Sequence, residues 1–357
     1  MRRDAAGERR GALVSDATHT PWRKQHALQP RDDALKRCLL SAWLLMLCAC
    51  TQTPQAAPPS AMAASPTVQP AAPALTAAPG QQRGEGHPYQ LADTAVWNVP
   101  DPVSGRTYQV FVALPRGYAD TPQRRYPVLY ATDGDYAFPL VKAIARRLNG
   151  EGPAIEDFIL VGLSYALGDE PMPSRRRDYT PTPEEGPGAP PVATHGKSAA
   201  YIAYLREQVL PFIAQHYRTD EQRRLYLGHS YGGLLGTEIL LSTPQMFSGY
   251  ILGSPSYWYG AHVMAQREAA YATTHTDLSA QVYLYVGEYE QVRYHKNYDM
   301  VPDAQRMVQT LRTRHYPSLR IDLDVLNDED HLSVAPRGAT HGLKTLLGTA
   351  TAQRAPR

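Results

Sequence analysis

The sequence predicts an α/β protein: one domain on a mostly parallel, eight-stranded sheet with helices on both faces. Three observations carry this. From about His87 onward, short apolar runs alternate with longer stretches of helical periodicity. The middle runs, such as Ile159-Leu160-Val161, are apolar throughout, so those strands are buried on both faces, as a parallel sheet between helical layers requires. No internal repeat divides the region, and residues 87–350 suit a single core.

The elements are taken in chain order. Strands are expected at 94–99 and 108–114. Only turn segments, 100–106 and 115–125, come after them, so these two form an antiparallel lead-in. The parallel part is expected from strands at 127–132, 158–163, 225–227, 250–253, 282–286 and 321–326. Helices are expected at 140–148, 198–216, 232–242, 303–315 and 333–347. The last strand alternates apolar residues with Asp322 and Asp324, which suits a position near an edge. The stretch 169–197 is rich in Pro, Gly and Arg and breaks the rhythm, so it reads as a long functional or disordered loop.

Composition sets the class. Hydrophobic residues make up 43% of 357 and charged residues 20%, which excludes wholesale disorder and a polytopic membrane protein. The formal charge is +2, too small for a nucleic-acid binder. Nine basic and five acidic residues stand in the first 37, leaving 27 against 29 in the rest. Cys38, Cys48 and Cys50 are the only cysteines, so the domain has no thiolate nucleophile, disulfide or cysteine-ligated metal.

These cysteines belong to an export segment. Arg31, Lys36 and Arg37 precede an apolar run of ten residues, 38–47, too short to span a bilayer. Leu47-Cys48-Ala49-Cys50 comes next and resembles the bacterial lipoprotein signal, which implies lipidation of Cys50. Residues 51–80 hold seven prolines and ten alanines with no charge, an extended linker. The expected organisation is an extension plus signal (1–50), a linker (51–86), a catalytic domain (87–350) and a disordered tail (351–357). The protein is expected to be exported, either lipid-anchored in the cell envelope facing the periplasm or soluble there, with the lipid as its only membrane contact.

The chemistry centres on Gly228-His229-Ser230-Tyr231-Gly232-Gly233, at a strand-to-helix junction. There a strained turn projects the Ser230 hydroxyl, the glycines relieve crowding, and the helix N-terminus offers free amides to an oxyanion. His229 should point away and serve a structural role. A serine needs a base and the base an orienting carboxylate, in chain order Ser, acid, His. His331 comes after the last strand and is the expected base. Glu288 and Glu290 both come after the strand at 282–286; Glu290, three residues after Gly287, is favoured and Glu288 is the alternative. The second oxyanion amide is expected from Gly134 or Asp135, after the third strand, paired with that of Tyr231.

Six segments together resemble the Putative esterase family of α/β-hydrolases, most closely its ferric-siderophore esterases of the enterobactin, salmochelin and bacillibactin type. They are Tyr130-Ala-Thr-Asp133-Gly134-Asp135, Arg176-Arg177-Asp178-Tyr179-Thr180-Pro181-Thr182, the Ser230 motif, Gly253-Ser-Pro-Ser256-Tyr-Trp258, Val286-Gly-Glu288-Tyr-Glu290 and His331-Leu-Ser-Val. The resemblance implies the α/β-hydrolase fold, Ser230 as nucleophile, His331 as base and a small-molecule ester substrate, first of all a ferric catecholate siderophore. Arg175, Arg176 and Arg177 would then meet its negative charge, and Tyr257, Trp258 and Tyr259 its rings. No cofactor and no metal are expected. The reading is a serine esterase; an acyltransferase on the same site and a non-catalytic binding lipoprotein are the alternatives.

Overall fold

The computed structural model describes residues 88–184, 194–294 and 299–349. The expected signal, Cys50, the linker and the tail from 351 lie outside the described residues.

Eight strands form one sheet: β1 (Thr94–Pro100), β2 (Thr107–Ala113), β3 (Tyr126–Thr132), β4 (Ile159–Ala166), β5 (Thr219–His229), β6 (Gly249–Gly253), β7 (Ala280–Gly287) and β8 (Leu319–Leu326). Their spatial order is β1-β2-β4-β3-β5-β6-β7-β8. β1 and β2 pair antiparallel, as does β2 with β4; all other neighbours are parallel. β8 is one of the two edge strands, and its alternation leaves Asp322 and Asp324 toward water.

Every residue of β3 is buried. Its even positions, Tyr126, Val128 and Tyr130, join one apolar cluster, and its odd positions, Leu129 and Ala131, join the other. α1 (Gly134–Leu148) and α8 (Val334–Leu347) complete the second cluster through Phe138, Val141 and Leu343. α3 (Ser198–Tyr204), α4 (Leu210–His216), α5 (Tyr231–Ser242), α6 (Tyr259–Thr274) and α7 (Met300–Thr313) contribute to the first. Each fully buried aliphatic side chain contributes roughly 1.5–3 kcal/mol, so the two layers hold the sheet from both sides.

Four differences from the expected elements have physical causes. α1 starts at Gly134 rather than at 140: Pro139, its sixth residue, gives up one backbone hydrogen bond, and the burial of Ala137, Phe138 and Val141 offsets the loss. The helix expected over 198–216 is interrupted at Leu205–Val209 by a π turn, in which the Leu210 N–H reaches back to the Leu205 carbonyl. Pro211, next in line, has no N–H for a regular turn. The expected loop 169–197 contains α2 (Pro171–Tyr179), whose buried positions Ser174 and Asp178 are polar and so carry no apolar periodicity. α6 was not expected at all; it opens on three left-handed residues, Gly260, Ala261 and His262, and buries the charged Glu268 against Arg314.

Candidate active site

Parallel neighbours bring the C-terminal ends of β3, β5, β6, β7 and β8 to one side of the sheet. The site residues come from the turns after these ends.

Ser230 occupies the junction of β5 and α5 with φ 61° and ψ −119°, a conformation rare for a residue with a side chain. The strain is held in place by hydrogen bonds. The Ser230 N–H donates to the Gly253 carbonyl at 2.8 Å, and the Ser230 carbonyl accepts from Leu234 at 3.0 Å. Beneath the turn, Tyr226 Oη donates to the Gly232 carbonyl at 2.7 Å. A Cβ on Gly228 would run into that same carbonyl, and one on Gly232 into Thr132 Oγ1. The start of α5 therefore lies directly against the end of β3.

His331 Nε2 lies 3.1 Å from Ser230 Oγ, and His331 Nδ1 lies 2.6 Å from Glu290 Oε2. Glu290 is 0% exposed. Its other oxygen accepts Ser254 Oγ–H at 2.6 Å and the Gly287 N–H at 2.8 Å. These donors satisfy a charge that would otherwise be costly to bury. The imidazole must donate from Nδ1 to the carboxylate, which leaves the Nε2 lone pair facing the serine hydroxyl. The loop carrying His331 is pinned by Asp330 Oδ1, which accepts the N–H groups of Leu332 and Ser333.

His229 points away from the serine. Its Nε2 donates to the His331 carbonyl at 3.0 Å, and its ring stacks on Tyr285. Burial, helped by the neighbouring His331, lowers its pKa to about 3. It stays neutral beside the His331 ring.

Glu288 does not meet His331. Its carboxylate accepts the Asp328 N–H at 3.3 Å and lies 3.7 Å from Arg293. The chain turns between the two glutamates, so only Glu290 faces inward.

Two helices, α5 and α1, begin at this end of the sheet, directly after β5 and β3. Tyr231 is the first residue of α5, and Gly134 and Asp135 are the first two of α1, where amides have no acceptor within the helix. Asp133, just before α1, lies beside Gly232 and has φ 55°.

The aromatic and arginine expectations divide. Trp258 is half-buried with its ring centroid 6.2 Å from that of Tyr231. Tyr257 and Tyr259 are core residues: Tyr257 Oη pairs with Thr237 Oγ1 at 2.9 Å, and Tyr259 Oη donates to the Thr182 carbonyl at 2.7 Å. Tyr259 has no face left for a ligand, and Tyr257 lines a cavity with Glu268 and Met307. Arg177 is likewise committed, to Asp169 at 2.5 Å and Asp178 at 2.8 Å, because the buried Asp178 needs a counter-charge. Arg176 is exposed. Arg175 binds Asp133 at 2.6 Å.

Sequence reasoning gave no role to Ser254, which donates to Glu290, or to Ser256, whose Oγ lies 3.5 Å from that of Ser230. Their Ser-Pro-Ser stretch comes directly after β6, the strand between β5 and β7, and that adjacency was the available signal.

A model of the family described as Putative esterase matches residues 101–321, a span that holds Ser230 and Glu290 and stops short of His331. The ferri-bacillibactin esterase BesA of Bacillus subtilis is 27% identical over 274 residues, 74% of this chain and 93% of that protein. The apo-salmochelin esterase of Escherichia coli is 31% identical over 176 residues, covering 48% of this chain and 54% of the relative. Among solved structures, the siderophore hydrolase EstB of Aspergillus nidulans superposes with a TM-score of 0.65 at 21% identity, over 76% of this chain and all (100%) of that one. The BES protein of Bacillus cereus gives 0.63 at 23%, over 74% and 99%. At these identities the structures speak for a shared fold, the eight-stranded α/β-hydrolase sheet. The family match covers more than half of the chain, and the chain belongs to the Putative esterase family.

Proposed function

We propose that this esterase is a serine hydrolase that works through an acyl-enzyme, and that its substrates are siderophore tri-esters. The observation that carries the mechanism is the relay at the strained turn: Ser230 Oγ, His331 Nε2 at 3.1 Å, His331 Nδ1, and the buried Glu290 at 2.6 Å.

Ser230 Oγ attacks the ester carbonyl carbon while His331 Nε2 takes its proton. The carbonyl π pair moves onto oxygen, and the amides of Tyr231 and of Gly134 or Asp135 receive it. Glu290 holds the imidazole in its tautomer and offsets the imidazolium charge. As the tetrahedral centre collapses, the C–O bond to the alcohol breaks, and His331 returns the proton to the leaving alkoxide. Water then attacks the acyl-enzyme with His331 as base, releasing the acid and restoring Ser230.

The substrate class rests on the relatives, several of which are named as siderophore esterases. The half-buried Trp258 beside Tyr231 offers an aromatic surface next to the nucleophile. We further propose export and lipid attachment at Cys50, resting on Leu47-Cys48-Ala49-Cys50 and the charge-free linker after it.

The test is an ester panel with ferric and iron-free catecholate trilactones beside simple aryl esters. Wild type should cleave the trilactones with the higher kcat/KM, and Ser230→Ala should lose at least about 10³-fold on every ester. Activity retained by Ser230→Ala would remove the serine mechanism; aryl esters cleaved faster than trilactones would remove the substrate class.

A further inference from the structure

Asp133 stands in the N-cap position of α1, yet its side chain makes no cap hydrogen bond. An aspartate there ordinarily accepts an N–H from the first turn of its own helix. Here the carboxylate is turned away. Arg175 Nε donates to Asp133 Oδ1 at 2.6 Å, Arg175 Nη2 donates to Oδ2 at 3.3 Å, and Tyr165 Oη donates to Oδ1 at 2.9 Å. Both members of the ion pair are largely buried, with side-chain exposures of 14% each. The backbone is held too: the Asp133 N–H points at Tyr179 Oη at 3.4 Å, and φ is 55°, in the left-handed region that an aspartate occupies at a cost. The guanidinium also lies over the rings of Tyr179 and Tyr231, at 5.9 and 5.7 Å. It therefore spans α2, the β3–α1 turn and the residue after Ser230.

We infer that Arg175 is a positioning residue: by drawing the Asp133 carboxylate off its own helix, it keeps the first amides of α1 uncapped for the oxyanion. This rests on the serine-esterase reading above. It differs from the role the arginine run first suggested, a receptor for a negatively charged substrate. A receptor is felt in substrate binding. A positioning residue is felt when charge develops on the carbonyl oxygen, in kcat.

Removing the clamp has a definite chemical consequence. In Arg175→Met the Asp133 carboxylate has lost two of its three donors, and once the residue leaves its left-handed backbone the carboxylate reaches the amides at the start of its own helix. It swings back, caps the helix and occupies the oxyanion position. A second change at 133 should undo this. Asp133→Gly suits the left-handed backbone and has no carboxylate to recap the helix.

The experiment measures kcat, KM and boronic-acid inhibition for wild type, Arg175→Met and the double variant Arg175→Met/Asp133→Gly, with Ser230→Ala in the same assay. Arg175→Met should lose about 100-fold in kcat, as for loss of one oxyanion donor, with KM within about twofold. Boronate, whose tetrahedral adduct places an oxygen in the same position, should weaken in parallel. The double variant should regain at least about tenfold in kcat. If Arg175→Met does not fold, Arg175→Lys replaces it, keeping the charge but not the two-pronged grip. A rise in KM at unchanged kcat, or no recovery in the double variant, overturns the inference. Inert Ser230→Ala beside full kcat in Arg175→Met removes the clamp alone; an active Ser230→Ala removes the serine reading beneath it.

Discussion

Glu288 and Glu290 are two residues apart on one turn, and burial separates their roles. Glu290 is enclosed, with His331, Ser254 and the Gly287 amide sharing its two oxygens. Glu288 faces the β8 turn and Arg293. Glu290→Gln keeps the shape but removes the charge and favours the wrong imidazole tautomer, so kcat should fall by about 10²–10⁴-fold. Glu288→Gln should remain within about twofold of wild type. Steady-state kinetics of the two variants decide it, and the reverse ranking would contradict the relay. At this scale much was legible in the sequence. Ser230 announces itself through glycines two positions on either side, and Glu290 through its distance from Gly287. The Arg175–Asp133 pair was not legible. It joins residues 42 positions apart, and its partners meet only once β3 and β4 pair in parallel and α2 folds back.

α2 shows what apolar periodicity misses at the scale of elements. Its inward positions are Ser174, Asp178 and Tyr179, and Asp178 is held by Arg177, by Tyr108 Oη at 3.1 Å and by Ser174 Oγ at 3.3 Å. Burial pushes the Asp178 carboxyl upward, and the Arg177 hydrogen bonds and charge oppose this. The side chains are 13% and 6% exposed, so this is an interior ion pair rather than a solvated loop. Arg177→Ala leaves Asp178 buried without its counter-charge. It should destabilise the protein by about 3 kcal/mol or more, read as a lower midpoint in urea. A surface arginine would cost within about 0.5 kcal/mol, and that result would contradict the interior placement. The strands were legible because double-sided burial writes continuous apolar runs. α2 and α6 were not, because one buries polar groups and the other opens on left-handed residues and encloses a charge.

Across the whole molecule the sheet order does the assembling. β5, β6, β7 and β8 lie side by side, so serine, Ser254, glutamate and histidine arrive at one edge in chain order. The composition finds its explanation at this scale. The chain has 23 tyrosines against 5 phenylalanines. Many of these rings fill the core while their hydroxyls tie down the turns: Tyr226 under the serine turn, Tyr165 on Asp133, Tyr108 on Asp178 and Tyr259 on the Thr182 carbonyl. A phenylalanine core would pack as well but leave those turns without donors. The central claim, a single nucleophile served by this relay, is tested most directly by covalent labelling of the intact chain. Incubated with a fluorophosphonate, the protein should gain the mass of one adduct, map it to the peptide carrying Ser230, and lose its esterase activity in proportion. An adduct on another residue, or full activity after Ser230 is labelled, would contradict the account.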